Sequence, residues 1–257
     1  MLLATWNINS INARLSHIQQ FLENYSPDVL CMQETKIIDE KFPRDLFTDL
    51  GYEVEIYGEK SYNGVAIASK HSMESIVKGF REEIAAGSRR LIAATIGNVK
   101  VLNVYIPNGQ AVGSEKYHYK LEWLCALKKH IEEHYSPDDQ LVICGDFNIA
   151  PEDRDLYNAK DWNSRIMASE EERQHLDAVK EFGFIDVVRK HHDQPGLFTW
   201  WDYQAGAFRR NMGFRIDHVW TTQSLAEVCS AAMVARELRE LEKPSDHAPV
   251  LVEFDVE

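Results

Sequence analysis

Acidic, amide and imidazole side chains stand at the ends of short apolar segments in five separate parts of the chain. These residues are Asn7, Glu34, Asp146, Asn148, Asp217, Asp246 and His247. Buried carboxylates kept apart would each be costly, whereas carboxylates brought together repel one another unless a cation lies among them. Almost no basic residue neutralises this set locally, so the pattern favours a shared cation.

The ligand types indicate which cation this would be. Carboxylates and amide carbonyls are hard oxygen donors, which suit Mg²⁺, with Mn²⁺ as an alternative, rather than zinc. Bound Mg²⁺ usually keeps several waters, and a phosphate substrate requires such open positions. The pattern therefore predicts a Mg²⁺ site that could serve phosphate chemistry.

Each of these segments also has a purely structural interpretation. Asp146 and Asn148 are typical of an Asx turn, and Asp246 of a cap or loop. Glu34 could pair with its neighbour Lys36 at the surface, and Asp217 could bond to Arg215 or to a backbone amide. The joint occurrence of the segments is what favours a functional site.

The composition of the 257 residues is ordinary for a globular protein, with 44% hydrophobic and 27% charged residues. No apolar run approaches the roughly 20 residues that span a bilayer, and the first residues lack a basic signal region. The four cysteines form no Cys-x-x-Cys pair, which favours free thiols in a reducing, cytoplasmic compartment.

The balance of 28 basic and 41 acidic residues gives a net charge of −13. This value argues against a general polyanion binder, because phosphate backbones attract positive surfaces. A binding face needs only local basic residues, however, and an acidic excess fits a protein that holds a divalent cation.

Apolar, often β-branched segments predict the strands that position these residues. The predicted strands are 2–8, 29–33, 52–57, 64–69, 91–96, 99–106, 140–145, 215–221 and 249–254. Short turns between several of them favour mixed or antiparallel pairing. We therefore predict an α/β fold with two packed sheets and helices outside, in one domain over 1–257.

Periodic apolar residues predict three helices between these strands. The first begins near Asn12 and ends before Pro27. The second presents an apolar stripe of Leu121, Leu124, Leu127 and Ile131. The third begins with a capping box of Ser169 and Glu172 and ends at Gly183, with Leu176, Val179 and Phe182 facing inward.

Seven short motifs occur in order between residues 6 and 250. They are WNIN (6–9), MQETK (32–36), NGVA (63–66), VYIPN (104–108), GDFNIAP (145–151), GFRID (213–217) and SDHAP (245–249). Any one of them is weak, but together they resemble the exonuclease III family of abasic-site endonucleases over nearly the whole chain.

The resemblance implies a four-layered α/β sandwich and Mg²⁺-dependent hydrolysis of phosphodiester bonds in duplex DNA. Members act in DNA repair as endonucleases at abasic sites, as 3′→5′ exonucleases and as enzymes that clean 3′ ends. By analogy we expect a monomer that acts on duplex DNA with abasic sites or 3′ ends and that binds no membrane.

The matching positions suggest a role for each site residue. We hypothesise that Asp146 accepts a proton from the attacking water and that Asn148 orients that water or a phosphate oxygen. The residues predicted to hold the metal, in one scheme or another, are Asn7, Glu34, Asp146, Asn148, Asp246 and His247. Imidazole is softer than the oxygen donors, so His247, bonded to Asp217, is favoured instead as a donor to a phosphate oxygen.

Further residues are predicted to contact the substrate. Tyr105 would offer a hydroxyl to the phosphate, although it could be a half-buried aromatic at a strand end. The resemblance places Trp200, Phe214 and Ile216 around a slot for the base-free sugar, with core packing as the alternative. The predicted DNA contacts, with solvated surface charge as their alternative, are Arg89, Arg90, Asn108, Arg209, Arg210, Asn211 and Arg215, assisted by Lys36 and Lys116.

The stretch 162–169 departs from the family pattern. Many abasic endonucleases have a small residue near the position of Met167. We hypothesise that the bulkier Met167 narrows the entry for a flipped-out sugar and thereby favours 3′-end processing over abasic incision.

Two other functions stay open. A protein of the same superfamily could cleave inositol phosphates, lipids such as sphingomyelin, or DNA without regard to damage. The deoxyribonuclease I branch uses a second catalytic histidine in the middle of the chain, whereas the corresponding strand end here, 105–108, has no histidine. His118 and His130 are expected to be exposed on the next helix. A protein of the same fold could instead bind nucleic acid without cleaving it, as the catabolite repression control protein does. The complete acidic set argues for retained chemistry.

Overall fold

The computed structural model describes residues 1–80 and 89–256, and within them the chain forms fourteen strands and seven α-helices. The strands are β1 (Leu2–Asn7), β2 (Val29–Gln33), β3 (Glu53–Tyr57), β4 (Val65–Ser69), β5 (Met73–Lys78), β6 (Leu91–Ile96), β7 (Val99–Tyr105), β8 (Leu141–Asp146), β9 (Ile185–Asp186), β10 (Trp200–Trp201), β11 (Gly213–Phe214), β12 (Asp217–Thr221), β13 (Cys229–Val234) and β14 (Val250–Phe254). The helices are α1 (Leu15–Tyr25), α2 (Arg44–Thr48), α3 (Glu115–His134), α4 (Ala159–Trp162), α5 (Glu170–Lys180), α6 (Val187–His191) and α7 (Gln223–Glu227). Short 3₁₀ helices lie at Asp39–Lys41, Asp153–Asp155 and Arg236–Glu240.

Two six-stranded sheets form the centre of the molecule. The first has the strand order β13-β14-β1-β2-β4-β3, and the second has the order β5-β6-β7-β8-β12-β9. In each sheet one pair is parallel, β1 with β2 and β7 with β8, and the other pairs are antiparallel. Each parallel pair is joined by a helix, α1 or α3, as parallel connections require. The sheets are therefore mixed, as predicted.

Three apolar clusters show how the layers pack. Leu3 and Val29 of the first sheet meet Val101 and Val142 of the second sheet between the two. The outer face of the first sheet packs on α1 through residues such as Phe21. The outer face of the second sheet packs on α3 and α5. This arrangement confirms the predicted four-layered α/β sandwich.

Strand parity and direction decide where the polar strand ends meet. Alternate residues of a strand face opposite sides, and Leu3 faces the space between the sheets, so Asn7 at the end of β1 does too. Val142 of β8 faces the same space, which puts Asp146 there as well. Asp217 pairs directly with Asp146 across β12 and β8. The carboxyl ends of the two parallel pairs and the first residue of β12 therefore meet at one end of the sandwich.

The predicted strands agree with the observed ones to within two residues at each end. The sequence missed β5 and β13, which are largely polar or exposed edge strands, and the two-residue strands β9, β10 and β11. The predicted start of β12 at Arg215 is wrong because the backbone N–H of Arg215 bonds to the Asp155 carbonyl, and that of Ile216 bonds to the Thr199 hydroxyl.

The three predicted helices are present, with several corrections. The first begins at Leu15 rather than near Asn12, and α5 ends at Lys180, so Phe182 lies beyond it and is only partly buried. The capping box of Ser169 and Glu172 begins α5. In α3, Leu124, Leu127 and Ile131 are buried but Leu121 is only partly so. His130 is buried, not exposed, because it faces Phe80 with ring centroids 5.5 Å apart. Of the helices in the described ranges, none combines the length and apolar character that a bilayer crossing requires.

The first and the last strands lie side by side in the first sheet, where β1 pairs with β14. A single domain over 1–257 is therefore the organisation that we propose.

Candidate active site

Asn7 joins two carboxylates that are remote in sequence. Its side-chain nitrogen donates to Glu34 Oε1 at 2.9 Å and to Asp146 Oδ2 at 2.8 Å. The nitrogen has to face them, because an amide oxygen there would oppose two anions. The amide oxygen of Asn7 accepts the backbone N–H of Asn9 at 3.0 Å instead. In this structure Asn7 therefore holds the two carboxylates in place, rather than aiming its own oxygen at the centre of the cluster.

Asp146 and Asn148 form the Asx turn that was their structural alternative, and the turn also joins their side chains. The backbone N–H of Asn148 donates to Asp146 Oδ1 at 2.9 Å, and its side-chain nitrogen donates to Asp146 Oδ2 at 3.1 Å and to the Ile106 carbonyl at 3.0 Å. Gly145 makes the tight approach of this strand end possible, because a Cβ at that position would lie 1.9 Å from the Val104 carbonyl oxygen. Asp146 is thereby fixed at the floor of the site.

The pKa of Asp146 is raised to about 7. Burial is the main cause, because it disfavours the charged carboxylate, and the neighbouring carboxylates of Asp217 and Glu34 add to the effect, while His247 opposes it. A carboxylate with this pKa can exchange a proton near neutral pH, as a general base must.

His247 is held by Asp217 and faces Asp146. Its Nδ1 lies 2.9 Å from Asp217 Oδ2, and its Nε2 lies 3.8 Å from Asp146 Oδ2. Burial alone would lower the pKa of His247, but the carboxylates of Asp217 and Asp146 outweigh it and raise the pKa to about 10. The imidazole is therefore protonated at neutral pH, with Nδ1–H on Asp217 and Nε2–H directed into the site.

Glu34 lies on the other side of Asn7 and has two further partners. Lys36 Nζ is 2.7 Å from Glu34 Oε2, and the Tyr105 hydroxyl donates to Glu34 Oε1 at 2.8 Å. Burial would raise the pKa of Glu34, but Lys36 and Asn7 outweigh it and hold the pKa below its usual value. Burial and the charge of Glu34 raise the pKa of Tyr105 well above its usual value. Glu34 is therefore ionised and Tyr105 is a neutral hydroxyl.

A second chain of hydrogen bonds brings Asp246 into the site. Lys36 Nζ donates to Asn9 Oδ1 at 2.6 Å, Asn9 Nδ2 donates to Asp246 Oδ1 at 2.8 Å, and Trp200 Nε1 donates to Asp246 Oδ2 at 2.9 Å. The sequence missed the role of Asn9, although its spacing of two from Asn7 was a signal. It also assigned Lys36 to DNA, whereas the structure places Lys36 between Glu34 and Asn9.

The donor set fits a divalent metal ion. Asp146, Asp217 and His247 each offer one ligand atom, and these atoms lie within 4.8 Å of one another. His247 Nδ1 and Asp217 are already bonded to each other, so these atoms are not free to bind a metal ion. The oxygens of Glu34, Asp146 and Asp246 are joined to the same network through amide groups and Lys36, and carboxylate oxygens are hard donors.

The backbone around the site is strained. Glu34, Lys36, Asn148 and Met167 all have φ between 51° and 69°, the left-handed region that non-glycine residues rarely adopt. Such conformations persist where surrounding contacts enforce them. Other non-glycine residues with positive φ lie elsewhere, for example Ser26 and Ser75, so these angles describe the local backbone and do not by themselves locate the site.

The predicted sugar slot is one apolar cluster beside the acidic residues. Trp200 and Phe214 pair across β10 and β11 with ring centroids 5.4 Å apart, and Ile216 and Met167 belong to the same cluster. Phe214 and Ile216 are buried, so they support the cluster from below, as core packing would. Trp200 and Met167 are partly exposed and can touch a ligand.

The predicted DNA contacts fall into three groups. Arg90 covers the Tyr105 ring with its guanidinium 4.4 Å from the ring centroid, and Asn108 donates to Asn148 Oδ1 at 3.0 Å, so both adjoin the site. Arg89 lies 3.7 Å from Asp39 and covers the Tyr57 ring. The exposed residues are Lys116, Arg209, Arg210 and Asn211, and Asn211 accepts a hydrogen bond from Trp201.

The prediction that Arg215 contacts DNA is wrong. Arg215 is fully buried and bonds to Asp155 at 2.6 Å and to Asp186 at 2.8 Å. The structural alternative for Asp217, an ion pair with Arg215, is also wrong. The carboxylate partners of Arg215 are Asp155 and Asp186, and Asp217 bonds to His247 instead. Arg215 is therefore part of the protein interior.

Comparison with known proteins gives consistent matches. Residues 4–247 match the model of the endonuclease/exonuclease/phosphatase family. Exodeoxyribonuclease III of Haemophilus influenzae is 34% identical, with 97% of this chain and 98% of that protein covered. Two solved structures align over 100% of both chains at 39% identity with TM-scores of 0.96. They are a 3′ phosphatase from Neisseria bound to a product DNA hairpin and an AP endonuclease from Archaeoglobus fulgidus.

Proposed function

The chain belongs to the endonuclease/exonuclease/phosphatase family, and we propose that it is a metal-dependent DNA-repair nuclease that hydrolyses phosphodiester bonds in duplex DNA at 3′ ends and abasic sites. One observation carries the proposal. Asn7 bridges Glu34 and Asp146 at 2.9 and 2.8 Å, and His247, which is bonded to Asp217, lies 3.8 Å from the same Asp146 oxygen. This arrangement supplies a base, an anion-binding cation and metal-binding oxygens in one place.

Mg²⁺ is the ion that we propose, with Mn²⁺ as a substitute, because the available donors are carboxylate oxygens. Glu34 and Asp246 would hold it, with Asn7 and Asn9 orienting them and Asp146 within reach. When bound, the ion supplies charge neutralisation at the phosphoryl and leaving oxygens.

The residues of the chain carry the remaining steps. Asp146 takes the proton of the attacking water at the oxygen that also accepts from Asn7 and Asn148. Asn148 fixes that carboxylate and can turn its amide toward a phosphate oxygen. His247 Nε2–H and the Tyr105 hydroxyl donate to non-bridging oxygens, and losing one donor of this kind typically costs about 10²–10³ in rate.

The choice of substrate follows from what the relatives are named for. The matched proteins are an exodeoxyribonuclease III, a 3′ phosphatase bound to DNA and an AP endonuclease. Met167 stands beside Trp200 in the apolar cluster. Its side chain narrows the entry for an internal sugar, so we propose that 3′-end processing exceeds abasic-site incision.

We further propose that the enzyme acts as a cytoplasmic monomer. The four cysteines are free thiols, and Cys31, Cys144 and Cys229 are buried, which suits a reducing compartment.

The proposal is tested with two duplexes, one carrying an abasic site and one carrying a recessed 3′-phosphate end. With Mg²⁺ we expect incision of the first duplex and removal of the 3′-phosphate and then of 3′-terminal nucleotides from the second, and with EDTA we expect neither. If the purified protein binds the duplexes but yields no Mg²⁺-dependent product, the non-catalytic alternative replaces this proposal. Release of phosphate from inositol phosphates at comparable rates would favour the other alternative.

The proposed preference is tested separately with Met167→Gly. We expect abasic incision to rise relative to 3′-phosphate removal, because the entry widens. Ile166→Gly serves as the matched control, since it removes a neighbouring side chain outside that cluster. An unchanged ratio in Met167→Gly would remove Met167 from the proposal without affecting the nuclease assignment.

A further inference from the structure

A buried ion pair behind the site is used by none of the steps above. Lys120 on α3 and Glu172 on α5 are both fully buried, and their charged atoms are in contact. Isolated charges are costly to bury, so such a pair survives only where its remaining hydrogen-bonding capacity is satisfied. The partners that satisfy it indicate what the pair does.

Lys120 reaches the catalytic side of this region. Its ammonium group donates to the Asn148 carbonyl at 2.8 Å and to the Asn108 carbonyl at 3.2 Å. The side chains of those same two residues are joined to each other at 3.0 Å. Lys120 therefore fixes the backbone of the residue that orients Asp146.

Glu172 binds the segment that contains Met167 and Ser169. One of its oxygens accepts the backbone N–H of Met167 at 3.1 Å, and the other accepts the backbone N–H of Ser169 at 3.0 Å and its hydroxyl at 2.8 Å. The two sides are also tied directly, because the Ala150 N–H donates to the Met167 carbonyl at 2.7 Å. Glu172 therefore fixes the segment that carries Met167.

Both segments contain a residue in an unfavourable conformation. Asn148 has φ 51° and Met167 has φ 69°. Asparagine tolerates this region better than most residues, whereas Met167 needs neighbouring contacts to stay left-handed. The backbone carbonyl of one and the backbone N–H of the other are bonded to the same ion pair.

We propose that Lys120 and Glu172 are positioning residues that set Asn148 and Met167 relative to each other, and so fix both the turnover of the enzyme and its preference between 3′-end processing and abasic-site incision. The inference rests on the proposed function. The inference extends the proposed function, because it assigns substrate preference to Lys120 and Glu172, two buried residues that would touch no substrate.

The test replaces the pair with apolar residues in Lys120→Met/Glu172→Leu. A double apolar replacement avoids an unpaired buried charge, so the fold is retained more readily than with either single variant. We expect kcat on the 3′-phosphate duplex to fall by about 10- to 100-fold with little change in KM, because small displacements of a positioning group have effects of this size. We expect abasic incision to fall less, because the Met167 segment loosens and widens the entry.

Two variants of α3 serve as controls. Leu127→Ala removes a buried apolar side chain of the same helix that makes no hydrogen bond to either segment, and it reports the effect of lost stability and packing. Lys128→Met breaks the exposed pair with Glu132 and should match the wild type. The kinetic constants of all variants are measured at a temperature at which each variant is folded, as checked by urea unfolding at that temperature.

The outcomes are distinct. If the wild type cleaves neither duplex, the proposed function itself is wrong. If the wild type is active and the double variant keeps its kcat and its ratio of activities, or loses both activities equally as Leu127→Ala does, the positioning role is wrong while the nuclease assignment stands. Should the double variant not fold, Glu172→Gln is used, since it keeps one acceptor oxygen. A smaller shift of the ratio in the same direction is then expected, and an unchanged ratio overturns the inference.

Discussion

Two buried groups of charged residues lie on opposite sides of β12. They differ in how much positive charge the fold places beside their carboxylates. Asp217 faces the active site, where it meets Asp146 and His247. His218, the next residue, faces the other side, where Arg215, Asp155 and Asp186 form a second group. Asp217 and His218 are consecutive in β12, and the alternation of side chains along a strand directs them to opposite faces, which separates the two groups.

The second group is balanced by fixed cations. Burial would raise the pKa of Asp155, but Arg215 and Arg189 outweigh it and lower the pKa to about 2. The pKa of Asp186 is lowered in the same way against its own burial, mainly by Arg215. His218 stays neutral, because burial and then Arg215 lower its pKa to about 4. This group is a structural one.

The active-site group has fewer cations than carboxylates, because Lys36 pairs with Glu34 and the protonated His247 is shared by Asp217 and Asp146. Among the described residues, the side chain that forms an ion pair with Asp146 is His247 alone, and the pKa of Asp146 rises to about 7. The comparison shows that burial alone does not distinguish a structural carboxylate from a catalytic one. What distinguishes the two groups is whether the fold supplies enough positive charge or leaves part of it to an exchangeable cation.

The largest effect should come from Asp146→Asn. Turnover on both duplexes should fall by roughly 10²–10⁴-fold, the usual contribution of a general base. Stability should change little, because the variant removes a buried charge that burial disfavours but also removes an ion-pair partner of His247. Turnover, DNA affinity and urea unfolding are measured together, with the exposed Asp138→Asn as control. Near-wild-type cleavage by the variant would remove Asp146 from its role as base.

The opposite pattern is expected for Asp155→Asn. Removing one partner of a buried ion pair typically costs about 3–5 kcal/mol, so the free energy of unfolding should fall by that amount while turnover per folded molecule is retained. Asp153→Asn, which breaks an exposed pair with Arg173, should cost less than about 1 kcal/mol. If Asp155→Asn were as stable as Asp153→Asn, the second group would not be structural.

Acid should act on the two groups with opposite signs in the metal-free protein. Below pH 6.5 the unfolded chain protonates His218 whereas the native protein does so only near pH 4, so stability falls over that window by roughly 3 kcal/mol. In the native state Asp146 takes up its proton near pH 7, whereas in the unfolded chain it does so near its ordinary pKa of 3.8. Its contribution to the free energy of unfolding therefore rises as the pH falls from 7 toward 3.8.

The two contributions are separated by substitution. His218→Gln should flatten the decline of the free energy of unfolding between pH 6.5 and 4, and Asp146→Asn should steepen it. The measurement is urea unfolding in EDTA at several pH values. Parallel curves for His218→Gln and the wild type would mean that His218 does not carry the acid sensitivity.

The smallest effect concerns exposed arginines. Neither Arg209 nor Arg210 forms an ion pair with any residue that the structure describes, unlike the buried Arg215. Replacing either with alanine should weaken DNA binding modestly and reduce the salt slope by about 1. Stability should stay within about 0.5 kcal/mol. Fluorescence anisotropy over a range of salt concentrations measures the slope, with Lys128→Ala as control, and an unchanged slope would exclude a phosphate contact.

Much of the fold and the site was predictable because the signals are local. Apolar strands show their inward faces by alternation, and polar residues at their ends mark the edge where they meet. The four layers, the strands and the gathering of Glu34, Asp146 and His247 follow from such patterns together with the resemblance.

What the sequence did not predict depends on contacts between remote residues. Arg215 was placed on the DNA because it lies two residues from Asp217, but the strand begins only at Asp217, and Asp155 and Asp186 capture the guanidinium. Lys120 reads as a polar position beside the apolar stripe of α3, although it points inward to meet Glu172. No local pattern specifies such pairs.

The pairing of β1 with β14 has a consequence for protein synthesis. Asn7 leaves the ribosome before His247, and both are needed in the same cavity. Until β14 has been synthesised and has paired with β1, the polypeptide cannot hold its proposed catalytic groups together. The proposed nuclease therefore becomes competent only after β14 has been synthesised.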